Sequence, residues 1–477
     1  MKNLEELLAG YPQEVHISAD AVRAARANAG ETTVYVVLDD DPTGTQSVSN
    51  LPVLTSWDKA DFEWAYSTGK AAVYVMTNSR SLSPHDAERV NREVVRSALA
   101  SAEESGTTVA FVSRSDSTLR GHFPLEPATI SEELETATGA GADGIVVVPA
   151  FGDAGRITIG ATHYAGSMAS GFVPVGETEF AKDATLGYES SNLPEWVEEK
   201  TGGDMPAESV IVIDLTTLRE SKERTVDKLT SAKNGIAIVV DIVTEEDLRL
   251  LALALIEAEA SGSRFVYRVG PPFVRARIGQ AVHDPLTVEE IAMSRGSAEL
   301  AKGGLIVVGS HVGLTTRQLD HLRHRRSPVE LEIDVAKVVD PQRRTDHLEQ
   351  VAREAISALD SGNVVVRTSR KLITGDDADS SLDISRQVSA AVVDVVQKIL
   401  AENPPRFVVA KGGITSSDTA SKGLQIRRAL VIGPMLPGIV SLWSGQDGPA
   451  AGIPYIVFAG NVGDDESLAD VVDKLSE

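Results

Sequence analysis

The run VYVVLDDDPTGTQSV (residues 34–48) sets Asp39, Asp40 and Asp41 side by side where a strand-like apolar stretch gives way to Pro42, Thr43 and Gly44. Adjacent carboxylates repel one another, and a chain that needed only a turn or a helix cap had less costly choices. Carboxylates in such a place can orient and deprotonate a hydroxyl group, which makes Asp40 and Asp41 the candidate catalytic residues. A second group lies in SRSDSTLRGH (113–122), where Asp116, Ser117, Thr118, Arg120 and Gly121 follow a strand end. A planar guanidinium among hydroxyls and backbone amides suits a carboxylate, to which it makes two parallel hydrogen bonds. A helix cap with a surface Arg–Asp pair is the plainer alternative. PAFGDAGR (149–156) adds Arg156 on a loop shaped by Gly152 and Gly155, and NSR (78–80) adds Arg80.

The second half of the chain carries a different chemistry. VVAKGGITSSDTA (408–420) places Lys411, Gly412, Gly413, Ile414 and Thr415 where a strand passes into a helix. Glycines let backbone approach a phosphate, and amides at a helix start favour anions. VGSHVGLTTRQ (308–318) presents Ser310 and Thr315 in the same way, and AGNVGDDESL (459–468) presents Gly460 and Gly463. Three such stretches point to a nucleotide pocket, although no G-x-x-x-x-G-K-[ST] loop occurs. GAGADG (139–144) has dinucleotide-loop spacing but precedes its strand instead of following it, and is set aside. The nine histidines form no H-E-x-x-H, and the closest pair, His321 and His324, falls in the basic HLRHRR of a helix end. No metal ligand is assigned.

The elements that must position these residues read clearly. Nearly unbroken apolar runs at 32–40, 71–78, 107–116, 144–151, 210–215, 236–242 and 264–270, then at 304–310, 363–369, 406–413, 429–434 and 454–460, predict strands buried on both faces of parallel sheets. Amphipathic segments lie between them, with helix starts at Ser83-Pro84 and at Thr244. The fold class is α/β, in two domains that are each a mostly parallel sheet flanked by helices. Residues 1–30 read as an N-terminal extension, 31–280 as a first domain, 281–302 as a helical connector and 303–477 as a second domain with the nucleotide pocket. Residues 160–207, rich in glycine, proline and acids, read as an inserted loop or lid. Ligands of open α/β sheets bind beyond the carboxyl ends of the strands, where all the motifs above lie.

Composition limits the partners. The 477 residues are 42% hydrophobic and 24% charged, as in ordinary globular chains. Forty-five basic against 69 acidic residues give a net charge of −24, which disfavours nucleic acid and anionic membrane. An anionic small molecule must then be captured by locally placed arginines and amides. The lack of cysteine excludes disulfides and thiolate chemistry and fits a reducing cytoplasm. Neither a bilayer-spanning stretch nor a secretory signal is evident, and a homo-oligomer is left open.

In order along the chain, DDPTGTQ, DSTLRG, PAFGDAGR, AKGGITSSD, GPMLPGIVSLW and GNVGDD resemble the four-carbon acid sugar kinase family, over about residues 33–475. The resemblance implies ATP-dependent, Mg²⁺-assisted phosphorylation of a threonate, erythronate or 3-oxo-tetronate, with the acid on the N-terminal domain and nucleotide on the C-terminal one. Closure of the two would exclude water. The family's D-D-x-T-G falls on Asp40, Asp41, Thr43 and Gly44, and its D-S-T-x-R-G on Asp116, Ser117, Thr118, Arg120 and Gly121. Its ATP contacts fall on Ser310, on Gly412 to Thr415 and on Gly460. The chain departs from the family at Phe458, where a lysine is frequent, at Asp183-Ala184 in place of Asp-Pro, and at His122 in place of asparagine. Lys411 can supply a charge near the missing lysine. A Mg²⁺-dependent lyase or isomerase and a non-catalytic nucleotide and sugar-acid sensor stand as alternatives.

Overall fold

The computed structural model describes residues 2–296, 299–369 and 378–477, with the side chains of 378–382 and 414 outside the described residues. The chain forms two compact units, Met1–Pro52 with Trp57–Val282, and Val53–Ser56 with His283–Glu477. No described helix is long and apolar enough to cross a membrane.

The seven strand-like runs of the first half all become strands. They lie parallel in the order Ala72–Met76, Val34–Asp39, Val109–Arg114, Phe265–Val269, Gly144–Val148, Ile236–Val240 and Ile211–Ile213. All five residues of Ala72–Met76, Gly144–Val148 and Phe265–Val269 are buried, as expected of strands covered by helices on both faces. Ser83 caps the helix Pro84–Ser105 by accepting from the Asp86 amide, and the helix stops at Gly106 with φ +66°. Thr244 and Asp247 form a capping box on Glu245–Ala260. The parallel register sets Asp39 beside Arg114 at the carboxyl edge.

Residues 160–207 are more ordered than a lid. Arg156–Ile159, Thr162–Ser167 and Gly171–Pro174 form an antiparallel meander, and Leu193–Lys200 is a helix. Leu193, Trp196 and Val197 are fully buried in one cluster with Leu119, Phe123 and Val147. Apolar side chains hidden among glycines and acids thus anchor this segment to the core. Near the N-terminus, Leu7 packs with Ile157, Phe172 and Val243, and Val22 packs with Ala252 and Ile256.

In the second unit the strands run Val329–Ile333, Val364–Thr368, Leu305–Val308, Val408–Lys411 and Pro454–Phe458 in parallel. The hairpin Arg428–Leu436 and Ile439–Gly445 continues beyond Pro454–Phe458 in antiparallel sense. Within 281–302 the described helix is the short Val288–Met293, and Leu286 and Ile291 join this unit's core. Thr55, of the short Val53–Ser56 piece, donates its amide to the Arg427 carbonyl at 3.0 Å and its hydroxyl to the Ile426 carbonyl.

Candidate active site

The three aspartates have three different environments. Asp39 is fully buried, its carboxylate paired with the Arg114 guanidinium through Oδ1, while Oδ2 has no partner. Burial pushes its carboxyl up to about 7 against the pull of Arg114, with Asp40 adding to the rise. Asp40 is also buried, and both its oxygens are held by one guanidinium. Arg80 Nε reaches Oδ2 at 3.0 Å and Nη2 reaches Oδ1 at 2.7 Å. Arg114 Nη2 stands 3.2 Å from the same Oδ1. Asp41 keeps 23% of its side chain exposed. Its Oδ1 accepts from the Thr43 amide at 2.9 Å and from the Thr43 hydroxyl at 2.5 Å, and Arg80 Nη1 lies 3.5 Å from Oδ2. Burial alone would raise this carboxyl, but the Arg80 and Arg114 charges and the Thr43 bonds hold it below its usual range.

Gly44 is a close-approach position. A Cβ there would overlap both carboxylate oxygens of Asp39 and Nε of Arg114, so only glycine lets the chain turn back over this pair.

The DSTLRG loop lies next to this group. Asp116 Oδ2 accepts from Arg120 Nε at 2.7 Å and from the Thr118 hydroxyl at 2.5 Å. Although burial opposes it, the charges of Arg80 and Arg120 hold Asp116 well below the carboxylate range. Gly121, at φ +127°, brings the backbone over Asp40, whose Oδ2 would stand 3.5 Å from a Cβ at that position. The loop is fastened from the meander and the segment after it. Buried His163 donates from Nε2 to the Ser117 carbonyl at 2.7 Å, its Nδ1 lies 2.9 Å from the Thr158 hydroxyl, and the Tyr188 hydroxyl donates to the Thr118 carbonyl at 2.5 Å. Burial pushes His163 down to about 4, so it is a neutral strut near neutral pH.

Several participants lie outside the residues assigned to the site from sequence. Arg114 is the last residue of its strand. Glu126, on the helix Leu125–Thr138, accepts from Ser79 and Asn91 and is pushed up to about 7 by burial, with Asp40 adding to the rise. Arg268 is buried with Nη2 on the Arg120 carbonyl at 3.2 Å and its guanidinium over Trp196. Burial pushes it down to about 10. Asp183 reaches Arg120 Nη1 at 3.5 Å. Five arginines, Arg80, Arg114, Arg120, Arg156 and Arg268, thus gather around the aspartates at this sheet edge of a strongly acidic chain.

In the second unit the glycine motifs converge. A Cβ on Gly309 would overlap the Thr415 hydroxyl, one on Gly460 would crowd Ser310 Oγ at 2.5 Å, and one on Gly412 would sit 3.3 Å from the Ser310 amide. Gly412 has φ +129°. Thr315 Oγ1 bonds Ser310 Oγ and the Gly460 carbonyl, each at 3.0 Å. Ser310, Gly412, Thr415 and Gly460 are therefore gathered into one rim of backbone and hydroxyls, with Gly413 opening the helix beside it. Gly463, at φ +81°, belongs to the turn that starts the last helix, beside Ser467 and Gln318. The side chain of Ile414 lies outside the described residues. Lys411 is buried beneath the rim, with Nζ on the Ala459 carbonyl.

Magnesium fits the first unit poorly as a protein-held ion. Among the described residues no three His, Asp or Glu side chains form a cation cage, and the strand-end aspartates already face arginines. A magnesium ion entering with ATP would be held by phosphate oxygens.

Fold and site together define a two-unit α/β protein with an arginine-rich sheet edge in one unit and a glycine-rich edge in the other. A sugar-binding N-terminal domain model matches residues 35–277, and a nucleotide-binding C-terminal domain model matches residues 305–468. The chain belongs to the four-carbon acid sugar kinase family. It is 28% identical to a D-erythronate kinase of Heliobacterium modesticaldum over 343 residues, 70% of each chain. It is 25% identical to a D-threonate kinase of Salmonella typhimurium over 375 residues, 76% of this chain and 79% of the relative. Its fold is shared with a Salmonella typhimurium LT2 crystal structure (TM-score 0.65, 17% identity, 92% of this chain and 98% of the other). A Haemophilus influenzae protein also shares it (TM-score 0.58, 18% identity, 91% and 98%).

Proposed function

We propose that the protein is an ATP-dependent kinase that phosphorylates a hydroxyl of a four-carbon sugar acid of the threonate, erythronate or 3-oxo-tetronate type, with Mg²⁺ carried by the nucleotide, in the cytoplasm. The observation that carries the reading is Asp41. Of the three strand-end aspartates it alone combines an accessible side chain with charges that keep it ionised. Asp41 takes the proton of the acceptor hydroxyl, the oxygen attacks the γ-phosphorus, and the bond to the β–γ bridging oxygen breaks, its electron pair leaving with ADP. Asp40, locked to Arg80, serves as a positioning group. Arg120 and Arg156, with Ser117 and Thr118, take the substrate's carboxylate and hydroxyls. Ser310, Gly412, Gly413, Thr415 and Gly460 receive the triphosphate.

Phosphoryl transfer depends mostly on positioning and charge neutralisation, so a carboxylate of low basicity suffices to orient the hydroxyl as it attacks. The test is an ADP-release screen of the full chain over a panel of tetronates, with and without Mg²⁺. Turnover of at least one four-carbon acid that requires both ATP and Mg²⁺ is expected. Conversion of an acid without ATP, or nucleotide and acid binding with no ADP release, overturns the proposal.

A further inference from the structure

Phe180 lies in the segment that reads in sequence as a lid, three residues before Asp183 and outside the motifs that carry Arg120 and Arg156, yet two guanidinium groups share its ring. The Arg120 Cζ stands 5.5 Å from the ring centre and the Arg156 Cζ 5.6 Å. The two arginines are differently satisfied. Arg120 has Asp116 at 2.7 Å and Asp183 at 3.5 Å. Arg156 donates to the Ala154 carbonyl, its Nε is buried with no partner, and among the described residues no carboxylate forms an ion pair with it. Burial works hardest against the Arg156 charge; the Asp116 carboxylate favours it, and the like charge of Arg120 opposes it. The face of an aromatic ring is electron-rich and attracts a cation within about 6 Å of its centre, which offsets part of this repulsion.

The ring is firmly placed. Phe180 belongs to the turn Glu179–Lys182, whose Ala181 is buried in the core and accepts from the Tyr188 amide at 3.1 Å. Just after it, Asp183 accepts from the amides of Thr185 and Leu186, each at 3.0 Å. Loop and ring are thus tied to the same body as the DSTLRG loop that carries Arg120 and the strand that opens with Arg156.

We propose that Phe180 is a positioning residue for sugar-acid binding: its ring holds the Arg120 and Arg156 guanidiniums side by side, so that both address one carboxylate of the substrate. The proposal rests on the sugar-acid reading above and adds the residue that assembles its anion clamp. An arriving carboxylate supplies the charge that Arg156 lacks, and the pre-set pair loses little freedom on binding. A leucine in place of the ring keeps bulk but offers no electron-rich face.

Calorimetric titration of the full chain with threonate and with erythronate tests this, using wild type, Phe180→Leu and Phe180→Tyr. Phe180→Leu should weaken acid binding about tenfold or more and Phe180→Tyr by less than about twofold, both with unchanged ATP affinity. In turnover the loss should fall on KM for the acid, with kcat at saturation within about threefold, a split that general loosening of the fold does not produce. If Phe180→Leu melts below wild type, Phe180→Met replaces it. Equal acid affinity in wild type and the leucine or methionine variant overturns the proposal, as does a tyrosine variant that loses as much as the leucine one. Acid that binds wild type without ADP release ends the kinase reading alone, because the titrations still decide the role of Phe180. A wild type that binds neither acid ends both.

Discussion

The Lys411 ammonium lies 3.7 Å from the centre of the Phe458 ring and donates to the Ala459 carbonyl at 2.6 Å. The two residues are register partners on neighbouring parallel strands of the second unit. At Phe458 the family frequently has a lysine, and here the adjoining strand places its own lysine against the aromatic ring instead. The charge stays near the glycine rim, but beneath it. Expected from sequence among the nucleotide-binding residues as a nearby charge, Lys411 is held beneath the rim by the Ala459 carbonyl.

Burial pushes Lys411 down to about 7, which makes fold stability depend on pH in a defined window. Between that value and the ordinary lysine value near 10.5, the unfolded chain holds a proton that the folded chain has released. Raising the pH removes the advantage of the unfolded chain, so the fold gains stability through the window, by up to roughly 1 kcal/mol per pH unit. Below it both states are protonated and the contribution is a constant penalty. Denaturant midpoints of wild type and Lys411→Met at pH 7, 8 and 9 check this. The wild type should gain on the variant at each step, and parallel curves would refute it.

Asp40 and Asp41 should separate by phenotype. Asp41→Asn should abolish turnover while ATP still binds and the melting temperature holds. Survival of kcat within about threefold of wild type would remove Asp41 from the chemistry. Asp40→Asn leaves the Arg80 charge buried and partly unpaired, a change of roughly 3 kcal/mol for broken buried pairs, so it should lower thermal stability as well as activity.

Gly44→Ala tests the close approach at the first strand end. The added carbon meets the Asp39 carboxylate and Arg114 together, so the turn must move. A loss of about 2 kcal/mol or more is expected, visible as a drop of several degrees in melting temperature. An unchanged melting curve would show that the turn gives way without cost.

Gly309→Ala addresses the second unit alone. Its methyl group meets the Thr415 hydroxyl and distorts the rim. ATP affinity should fall about tenfold while sugar-acid affinity, measured by calorimetry, stays put. A matching loss of acid binding would mean that the rim does not belong to the nucleotide.

How much of this was legible in the sequence depended on what each residue contacts. Strands buried on both faces, such as VYVVLD and GIVVV, announce themselves as unbroken apolar runs, and all seven parallel strands of the first unit were found that way. Val329–Ile333 reads VELEI because it is an edge strand with exposed positions, and it was missed. The meander after Arg156 was missed because its short strands are broken by glycines that permit tight turns. Site residues that follow a strand end were found by that position. Arg114 falls in such a strand-end run without a role of its own, and Arg268, Glu126 and Phe180 meet the site only through folding. Their roles depend on contacts that no local spacing encodes.

The small Val53–Ser56 piece bears on how the protein is made. Thr55 bonds to a residue 371 positions further on, so a portion of the last body is synthesised near the beginning. At typical ribosome speeds its partners emerge roughly twenty seconds to over a minute later. During that wait a short apolar ribbon, Val53-Leu54, has nothing of its own unit to pair with. For the same reason, scission between Val282 and His283 would keep every residue of the first unit in one fragment but separate the second unit from its Val53–Ser56 piece.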